Sequence, residues 1–176
     1  MIETERLILR QWRSQDRAAW NAMMGDPEVA YWLGGEMTPV EMAASFDRAR
    51  MLLELDGFGM WAAERKTDGA VIGSVGVRRV MAGHPMAGEV EIGWRLARSA
   101  WGSGYASEGA AAALSWGLAQ LDPLRIVAFT ANTNLRSQAV MERIAMVRSP
   151  LDDFEHPALS PEHPLRRHLV YEMRRP

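Results

Sequence analysis

The sequence contains no cysteine among its 176 residues. Disulfide bonds, thiolate catalysis and cysteine-ligated zinc are therefore excluded. We do not expect the amino-terminal segment to be a signal peptide, because it lacks a long apolar run and carries charges at Glu3, Glu5, Arg6 and Arg10. No stretch of the chain approaches the ~18 uninterrupted apolar residues of a membrane helix. We therefore expect a cytoplasmic protein with no membrane partner.

The sequence also lacks a strong excess of either charge. It has 20 basic and 22 acidic side chains and a formal net charge of −2, which gives no electrostatic reason to expect a nucleic-acid partner. Hydrophobic residues make up 48% and charged residues 24%, and these ordinary proportions argue against disorder. The length predicts a single domain over residues 1–176, as a monomer or a homodimer.

Apolar runs, helix caps and turn residues predict the element order β-α-α-β-β-β-α-β-α-β-β. Leu7-Ile8-Leu9 predicts a strand over 4–12, and a capping box at 38–41 predicts a helix to about Leu55. Asp68-Gly69 is a strong tight-turn signal and predicts a hairpin. The remaining predicted elements are a helix over 14–33 with Ser14 as N-cap and a break at Pro27, strands over 59–66, 71–80 and 89–96, a helix over 106–121, a strand over 124–131, a helix over 135–145 and two strands in 147–176, the last over 168–174.

This order favours an α/β (α+β) fold in which helices cover both faces of a mixed sheet. Segment 89–131 is the one clear strand–turn–helix–strand unit, and it predicts a parallel crossover.

The turn Gly102-Ser103-Gly104 connects a predicted strand to a helix start. The N–H groups at a helix N-terminus are unpaired and carry partial positive charge, and glycine lets an anion approach the backbone closely. Backbone donors from Gly102, Ser103, Gly104, Tyr105, Ala106 and Ser107 are therefore predicted to bind a pyrophosphate.

A Gly-x-Gly turn is weak evidence by itself, because a helix start can need glycine for steric reasons alone. The sequence has no GxxxxGK[ST] motif, and Ser107 stands where the dinucleotide fingerprint requires its third glycine. Arg95 and Arg98 precede the turn, and either could bind the 3′-phosphate of a nucleotide cofactor such as coenzyme A; Arg98 is the preferred candidate, although surface charge explains both.

Three segments together resemble the GNAT superfamily of N-acetyltransferases, and in particular its RimJ/RimL-like branch. TERLILR at 4–10 resembles the opening strand of that branch. EIGW at 91–94 with WGSGYASE at 101–108 resembles its coenzyme A-binding pattern. NTNLRS at 132–137 with VMERIAM at 140–146 resembles the segment that closes the site. The matches follow family order and spacing across nearly the whole chain.

The resemblance implies a GNAT-type acyl-CoA N-acyltransferase fold with a mixed sheet of six to seven strands. Strands 89–96 and 125–131 would splay apart, and the pantetheine arm would pair with backbone groups near Ile92, Gly93 and Trp94. The implied reaction moves an acetyl group from acetyl-CoA to a primary amine, either a protein N-terminal α-amine or a small-molecule amine, with no metal.

The sequence departs from the family pattern at three positions. Trp101 replaces the usual Gln or Arg of the phosphate motif, as is common in the RimJ/RimL branch, and Ala145 replaces a usual glycine. Met141 stands where many relatives carry a tyrosine general acid, and it cannot donate a proton. The resemblance therefore assigns proton donation to Ser137.

Glu91 is the preferred general base, because its strand should flank the thioester and a carboxylate can accept the amine proton. Glu89 and a water molecule are alternatives, and both carboxylates could equally be solvent-facing strand residues. Ser137 and Asn134 could likewise serve only the first turn and the cap of their helix; the resemblance adds coenzyme A binding to both.

The histidines are predicted to be solvated loop residues, since His84, His156 and His163 each precede proline and no zinc motif is present. The acidic loop 152–163 could attract a cationic amine or be only solvated.

Two other functions remain open at this point: an acyl-CoA sensor that does not turn over, and a nucleotide-binding enzyme that uses the same glycine turn.

Overall fold

The computed structural model describes residues 1–175 and contains a mixed, mostly antiparallel sheet flanked by helices. Its strands are β1 (Ile2–Glu3), β2 (Leu7–Arg10), β3 (Met60–Arg65), β4 (Val71–Arg79), β5 (Val90–Leu96), β6 (Arg125–Ala131), β7 (Val147–Arg148), β8 (Phe154–Glu155) and β9 (Arg167–Arg174). Its α-helices are α1 (Arg17–Met24), α2 (Pro27–Tyr31), α3 (Pro39–Asp56), α4 (Tyr105–Leu121) and α5 (Leu135–Arg143).

The sheet has the strand order β1-β2-β3-β4-β5-β6-β9-β7, and β8 also pairs with β9. Nine strands replace the predicted six to seven. Two strands were predicted in 147–176, and one of them is β9, so β1 and one of β7 and β8 are additional. β1, β7 and β8 have two residues each, and so short a strand shows no alternation of apolar and polar residues. The predicted mixed sheet with helices is confirmed.

The parallel pair β5–β6 separates soon after it starts. The two strands are in register only at Val90 with Ile126 and at Glu91 with Val127. Beyond these pairs β5 continues to Leu96 with no partner on its β6 side, although β4 pairs with it along its whole length. The predicted splay of these strands is confirmed.

Helix α4 packs closely against one face of the sheet because two of its residues are glycines. A Cβ atom at Gly117 would lie 2.9 Å from Ile126 Cδ1, and one at Gly109 would lie 3.3 Å from Leu7 Cδ1 and from Val75 Cγ1. Strand side chains alternate between the two faces, so the residues in register with Val75 also point towards α4.

The other face is covered by the α1–α3 region. Arg10 lies next to inward-facing residues of β2 and therefore projects from this second face, where it binds Asp16 at 2.7 Å just before α1. The rings of Trp12, Trp20 and Phe46 meet edge to face at centroid distances of 5.1 to 5.8 Å. Within residues 1–175, no helix is both long and apolar enough to cross a membrane.

Local signals were reliable where the sequence supplies a complete motif. The capping box is confirmed, since Thr38 Oγ1 accepts from the Glu41 N–H and Glu41 accepts from the Thr38 N–H. The break at Pro27 and the hairpin β3–β4 are also confirmed.

Two boundary predictions were wrong. The strand over 4–12 is shortened to β2, because Thr4 N–H donates to the Leu7 carbonyl in a turn. Ser14 is not an N-cap; it opens a 3₁₀ turn, and Asp16 accepts from the Arg13 N–H instead.

Candidate active site

A cleft of about 900 Å³ opens where β5 and β6 separate. Its walls come from both strands, the end of α2, the turn before α4 and the inner side of α5. The cleft brings together most of the predicted site residues, namely Glu91, Ile92, Gly93, Trp94, Gly102, Gly104, Tyr105, Ala106, Ser107, Asn134 and Ser137. Segments distant in the sequence therefore meet in one cavity.

The turn before α4 presents a row of free backbone donors to the cleft. Trp101 N–H donates to Arg98 and Glu108 N–H donates to Gly104, but within residues 1–175 no N–H from 102 to 107 has an acceptor. Gly102 and Gly104 adopt left-handed conformations with φ of 73° and 81°, which glycine tolerates best. Six unpaired donors at the positive end of a 17-residue helix are suited to binding an anion.

A charged cluster holds this turn against the start of the chain. Glu108, in the first turn of α4, accepts from Thr4 Oγ1 at 2.5 Å, from the Arg6 N–H at 2.7 Å and from Arg6 Nε at 2.6 Å. Burial alone would raise the pKa of the Glu108 carboxyl, but these hydrogen bonds hold that pKa below its usual value. Arg6 also donates to the Ser103 carbonyl at 3.0 Å and covers the Tyr105 ring.

Ser103 therefore contributes to the turn through its backbone, and it does not line the cleft. Sequence reasoning missed the roles of Thr4, Arg6 and Glu108. The available signal was that all three lie inside the segments 4–10 and 101–108.

The two candidate bases have different surroundings. Glu91 is 8% exposed and lines the cleft; its Oε2 accepts from Arg78 Nε at 2.9 Å, and within residues 1–175 its Oε1 has no donor. Glu89 lies outside the cleft lining, where both of its contacts to Arg125 are 2.9 Å or shorter. The geometry therefore favours Glu91 over Glu89 as the group that can meet a substrate.

Helix α5 places two polar side chains at the cleft. Asn134 caps the helix, because its Oδ1 accepts from the Ser137 N–H at 3.2 Å. Ser137 is half-buried, and no group of residues 1–175 hydrogen-bonds its hydroxyl. Met141 lines the same wall and is buried. The capping role of Asn134 leaves its amide nitrogen available to a ligand.

Arg95 and Arg98, which precede the turn at 102–104, have different surroundings. Arg98 is exposed, pairs with Glu28 at 2.8 Å and does not line the cleft. Arg95 lines the cleft, where desolvation lowers the pKa of its guanidinium to about 10; Arg78 adds to the lowering and Glu91 opposes it. The preference for Arg98 as a phosphate ligand receives no support from this geometry.

The expectation that the histidines are simply solvated was wrong for three of them. His84 stacks on Phe129 at a centroid distance of 4.8 Å, and His168 stacks on Phe154 at 5.3 Å. His156 lies 5.0 Å from His168, and both line the cleft. Burial lowers the pKa of all three rings, which disfavours their charged form.

Three carboxylates of the acidic loop, those of Asp152, Asp153 and Glu155, are paired with arginines. Asp152 binds Arg125 at 2.6 Å, and Asp153 binds Arg148 at 2.8 Å. Glu155 faces Arg166 and Arg167 at 3.2 and 3.6 Å. These carboxylates are therefore already paired and offer a cationic amine little attraction.

Comparison with known proteins identifies the class to which this fold and cleft belong. The family model for the acetyltransferase (GNAT) domain matches residues 6–147. The chain is a member of the GNAT acetyltransferase family, and thus an acetyl-CoA-dependent acyltransferase.

Individual relatives agree with this assignment. The chain is 35% identical over 136 residues to the uncharacterized N-acetyltransferase YoaA of Bacillus subtilis, covering 75% of each protein. An acetyltransferase from Agrobacterium tumefaciens has 27% identity and a TM-score of 0.79, over 99% of this chain and 94% of that one. Ribosomal-protein-S5-alanine acetyltransferase from Vibrio fischeri shares the fold, with 17% identity and a TM-score of 0.76 over 98% and 94%. The resemblance to the superfamily is confirmed.

Proposed function

We propose that the chain, as one domain, transfers the acetyl group of acetyl-CoA directly to a primary amine while both substrates are bound. The observation that carries this proposal is the row of unpaired N–H groups from 102 to 107 at the end of the β5–β6 gap. A pyrophosphate at this row would leave the gap open for the pantetheine arm. The arm could then pair with the free backbone edge of β5 at Ile92, Gly93 and Trp94.

The reacting groups would meet near Glu91. The amine nitrogen attacks the thioester carbonyl carbon, an N–H proton passes to Glu91 Oε1 directly or through water, and the C–S bond breaks. The unpaired state of Oε1 and its position in the cleft support this role. Arg78 fixes the orientation of the carboxylate by holding Oε2.

The departing thiolate would take its proton from the Ser137 hydroxyl, which regains one from solvent, while Glu91 releases to solvent the proton that it took from the amine. The hydroxyl is half-buried and free of other hydrogen bonds in the described chain, and Met141 cannot supply a proton. A thiol of the cysteine type has a pKa of about 8.5, so the thiolate needs only modest help to leave. Binding both substrates in one cleft would supply much of the rate acceleration.

The acceptor class proposed at this level is a primary amine, either a protein N-terminal α-amine or a small molecule. The expected assembly is a monomer or a homodimer that needs no metal. The second candidate function is an acyl-CoA sensor, which Met141 at the expected acid position favours.

A binding and turnover experiment separates these functions. Acetyl-CoA at roughly 100 times its dissociation constant should stabilise the fold by about 2.7 kcal/mol. A screen of amines and N-terminal peptides should then release free thiol. Stabilisation without thiol release would indicate a sensor, and stabilisation by ATP with displacement of acetyl-CoA would indicate a nucleotide enzyme. Absence of any stabilisation by acetyl-CoA would contradict the proposal.

A further inference from the structure

The charges that line the cleft are mostly positive. Four arginines contribute to the lining, at positions 78, 95, 136 and 143, whereas Glu91 is its only acidic residue. Arg136 and Arg143 belong to α5 and are exposed, and Arg136 lies over the Trp101 ring. Arg78 is paired with Glu91. Arg95 remains as the half-buried arginine without an assigned partner.

Arg95 is held in the cleft at an energetic cost. Within residues 1–175 its guanidinium has no hydrogen bond and no carboxylate within ion-pair distance. Its neighbour Arg78 repels it, and desolvation already disfavours its charge. A guanidinium has five donors and recognises carboxylates with two parallel hydrogen bonds. An unpaired group of this kind is stabilised when an anionic ligand enters the cleft.

The side chain of Arg95 points away from α4, where the proposed cofactor site lies. Trp94 is in register with Val75, which packs on Gly109 of α4. Since neighbouring strand residues point to opposite faces, Arg95 projects from the face away from α4. The unpaired N–H groups that suit the cofactor phosphates are at the N-terminus of α4. Arg95 therefore serves a different anion.

The same face of β5 carries the proposed base. Glu91, Gly93 and Arg95 alternate with residues that face α4 and therefore share one side of the strand. Gly93 leaves space between the two charged side chains. The nearest atom to a Cβ built there would be Met60 Cε at 3.5 Å, and Glu91 Oε1 would lie at 3.8 Å. Oε1 thus faces the gap that separates Glu91 from Arg95.

We propose that the acceptor is an amine that also carries a carboxylate, with its amine at Glu91 and its carboxylate bound by Arg95. This inference rests on the proposed acetyl transfer and narrows its acceptor to an amino acid or a similar amine. A polyamine fits the cleft poorly, because its second cation would face Arg95 and Arg78. The substitution Arg95→Met would keep most of the length of the side chain and remove its charge.

The test compares each common amino acid with its carboxamide, which has the same amine and no carboxylate. Thiol release from acetyl-CoA gives kcat/KM for each pair. Wild type should prefer the acid by roughly ten- to a hundredfold, the value expected for charged hydrogen bonds. Arg95→Met should abolish this preference without changing KM for acetyl-CoA, and Arg95→Lys should restore part of it. Arg136→Met is the matched control and should retain the preference.

A second measurement keeps the inference separate from turnover. Calorimetric titration of the same pairs into the complex with coenzyme A should show the acid preference in wild type and its loss in Arg95→Met. If this preference appears without thiol release, the carboxylate site stands and the proposed transfer fails. Equal binding of acids and carboxamides, or no binding of either, would overturn the inference while thiol release with other amines preserved the transfer. An Arg95→Met variant that raises only KM for acetyl-CoA would also overturn it, because Arg95 would then bind the cofactor.

Discussion

The two ends of the cleft present different kinds of chemical group. The end at α4 offers backbone N–H groups shaped by two left-handed glycines, whereas the end at β5 offers the charged side chains of Glu91, Arg78 and Arg95. A backbone site needs only the correct turn, so it can persist while surrounding side chains change. A side-chain site can change its ligand without altering the fold. In the proposed function, cofactor recognition at the first end and acceptor recognition at the second can therefore vary independently.

The largest expected effect is at the side-chain end. Glu91→Gln keeps the shape of the residue but removes its ability to accept a proton, so turnover at neutral pH should fall by roughly 10²–10⁴-fold. Acetyl-CoA binding should be unchanged, because Glu91 does not contribute to the α4 turn. Steady-state kinetics and calorimetry measure the two quantities.

The pH profile of Glu91→Gln sharpens this test. The loss of turnover in Glu91→Gln relative to wild type should shrink between about pH 7 and about pH 10, where amines such as lysine lose their own proton. A constant deficit would mean that Glu91 positions the acceptor. Glu89→Gln is the matched control, since Glu89 is bound to Arg125 outside the cleft, and a large deficit in this variant would transfer the role of base to Glu89.

The next largest effect is a loss of acetyl-CoA binding, expected at the backbone N–H groups of the α4 turn. Gly104→Val should weaken acetyl-CoA binding by about a hundredfold, because a side chain there obstructs several charged hydrogen bonds of roughly 1.5–3 kcal/mol each. The left-handed φ of 81° adds backbone strain. Titration calorimetry measures the dissociation constant, and thermal unfolding measures the strain.

Gly57→Val is the control for that strain. Gly57 has a φ of 72° at the end of α3, and a Cβ there would have no neighbour within 4 Å. It should lose similar stability and bind acetyl-CoA normally. Normal binding by Gly104→Val would show that the turn has only a structural role.

A smaller effect is expected at α5. Ser137→Ala should lower turnover by roughly ten- to a hundredfold, at the weak end of acid catalysis, because thiolate is a fair leaving group. Stopped-flow measurement of thiol release isolates the chemical step. An unchanged rate would assign protonation of the thiolate to solvent.

The smallest effect is expected where the α4 turn is held against the start of the chain. Glu108→Gln weakens the contacts with Thr4 and Arg6 that hold the α4 turn. Acetyl-CoA binding should weaken a few-fold with no change in the acceptor KM, as measured by calorimetry and initial rates. Glu5→Gln changes an exposed neighbouring carboxylate and should have no effect; equal binding by both variants would show that the turn is stable without Glu108.

The sequence alone was enough to predict the order of the longer elements, the mixed sheet and the family. Capping boxes, tight turns and glycine-rich helix starts are determined by residues close together in the chain, and they were found at 38–41, 67–69 and 102–104. The α4 turn belongs to this class, since its donors are free because of local helix geometry.

Only the tertiary structure decided which charged side chains meet. Glu89 lies just before β5 and Glu91 lies within it, yet Arg125 from β6 binds one and Arg78 from β4 holds the other beside the cleft. The sequence analysis preferred Arg98 to Arg95, but Glu28 pairs with Arg98 outside the cleft, whereas Arg95 lines it. Glu5 and Glu108 show no sequence signal that separates them, although only Glu108 meets Arg6 and Thr4. The physical reason is that the contacts of a charged side chain depend on residues that folding brings close from distant parts of the sequence. The conformation of a turn depends on the residues of the turn itself.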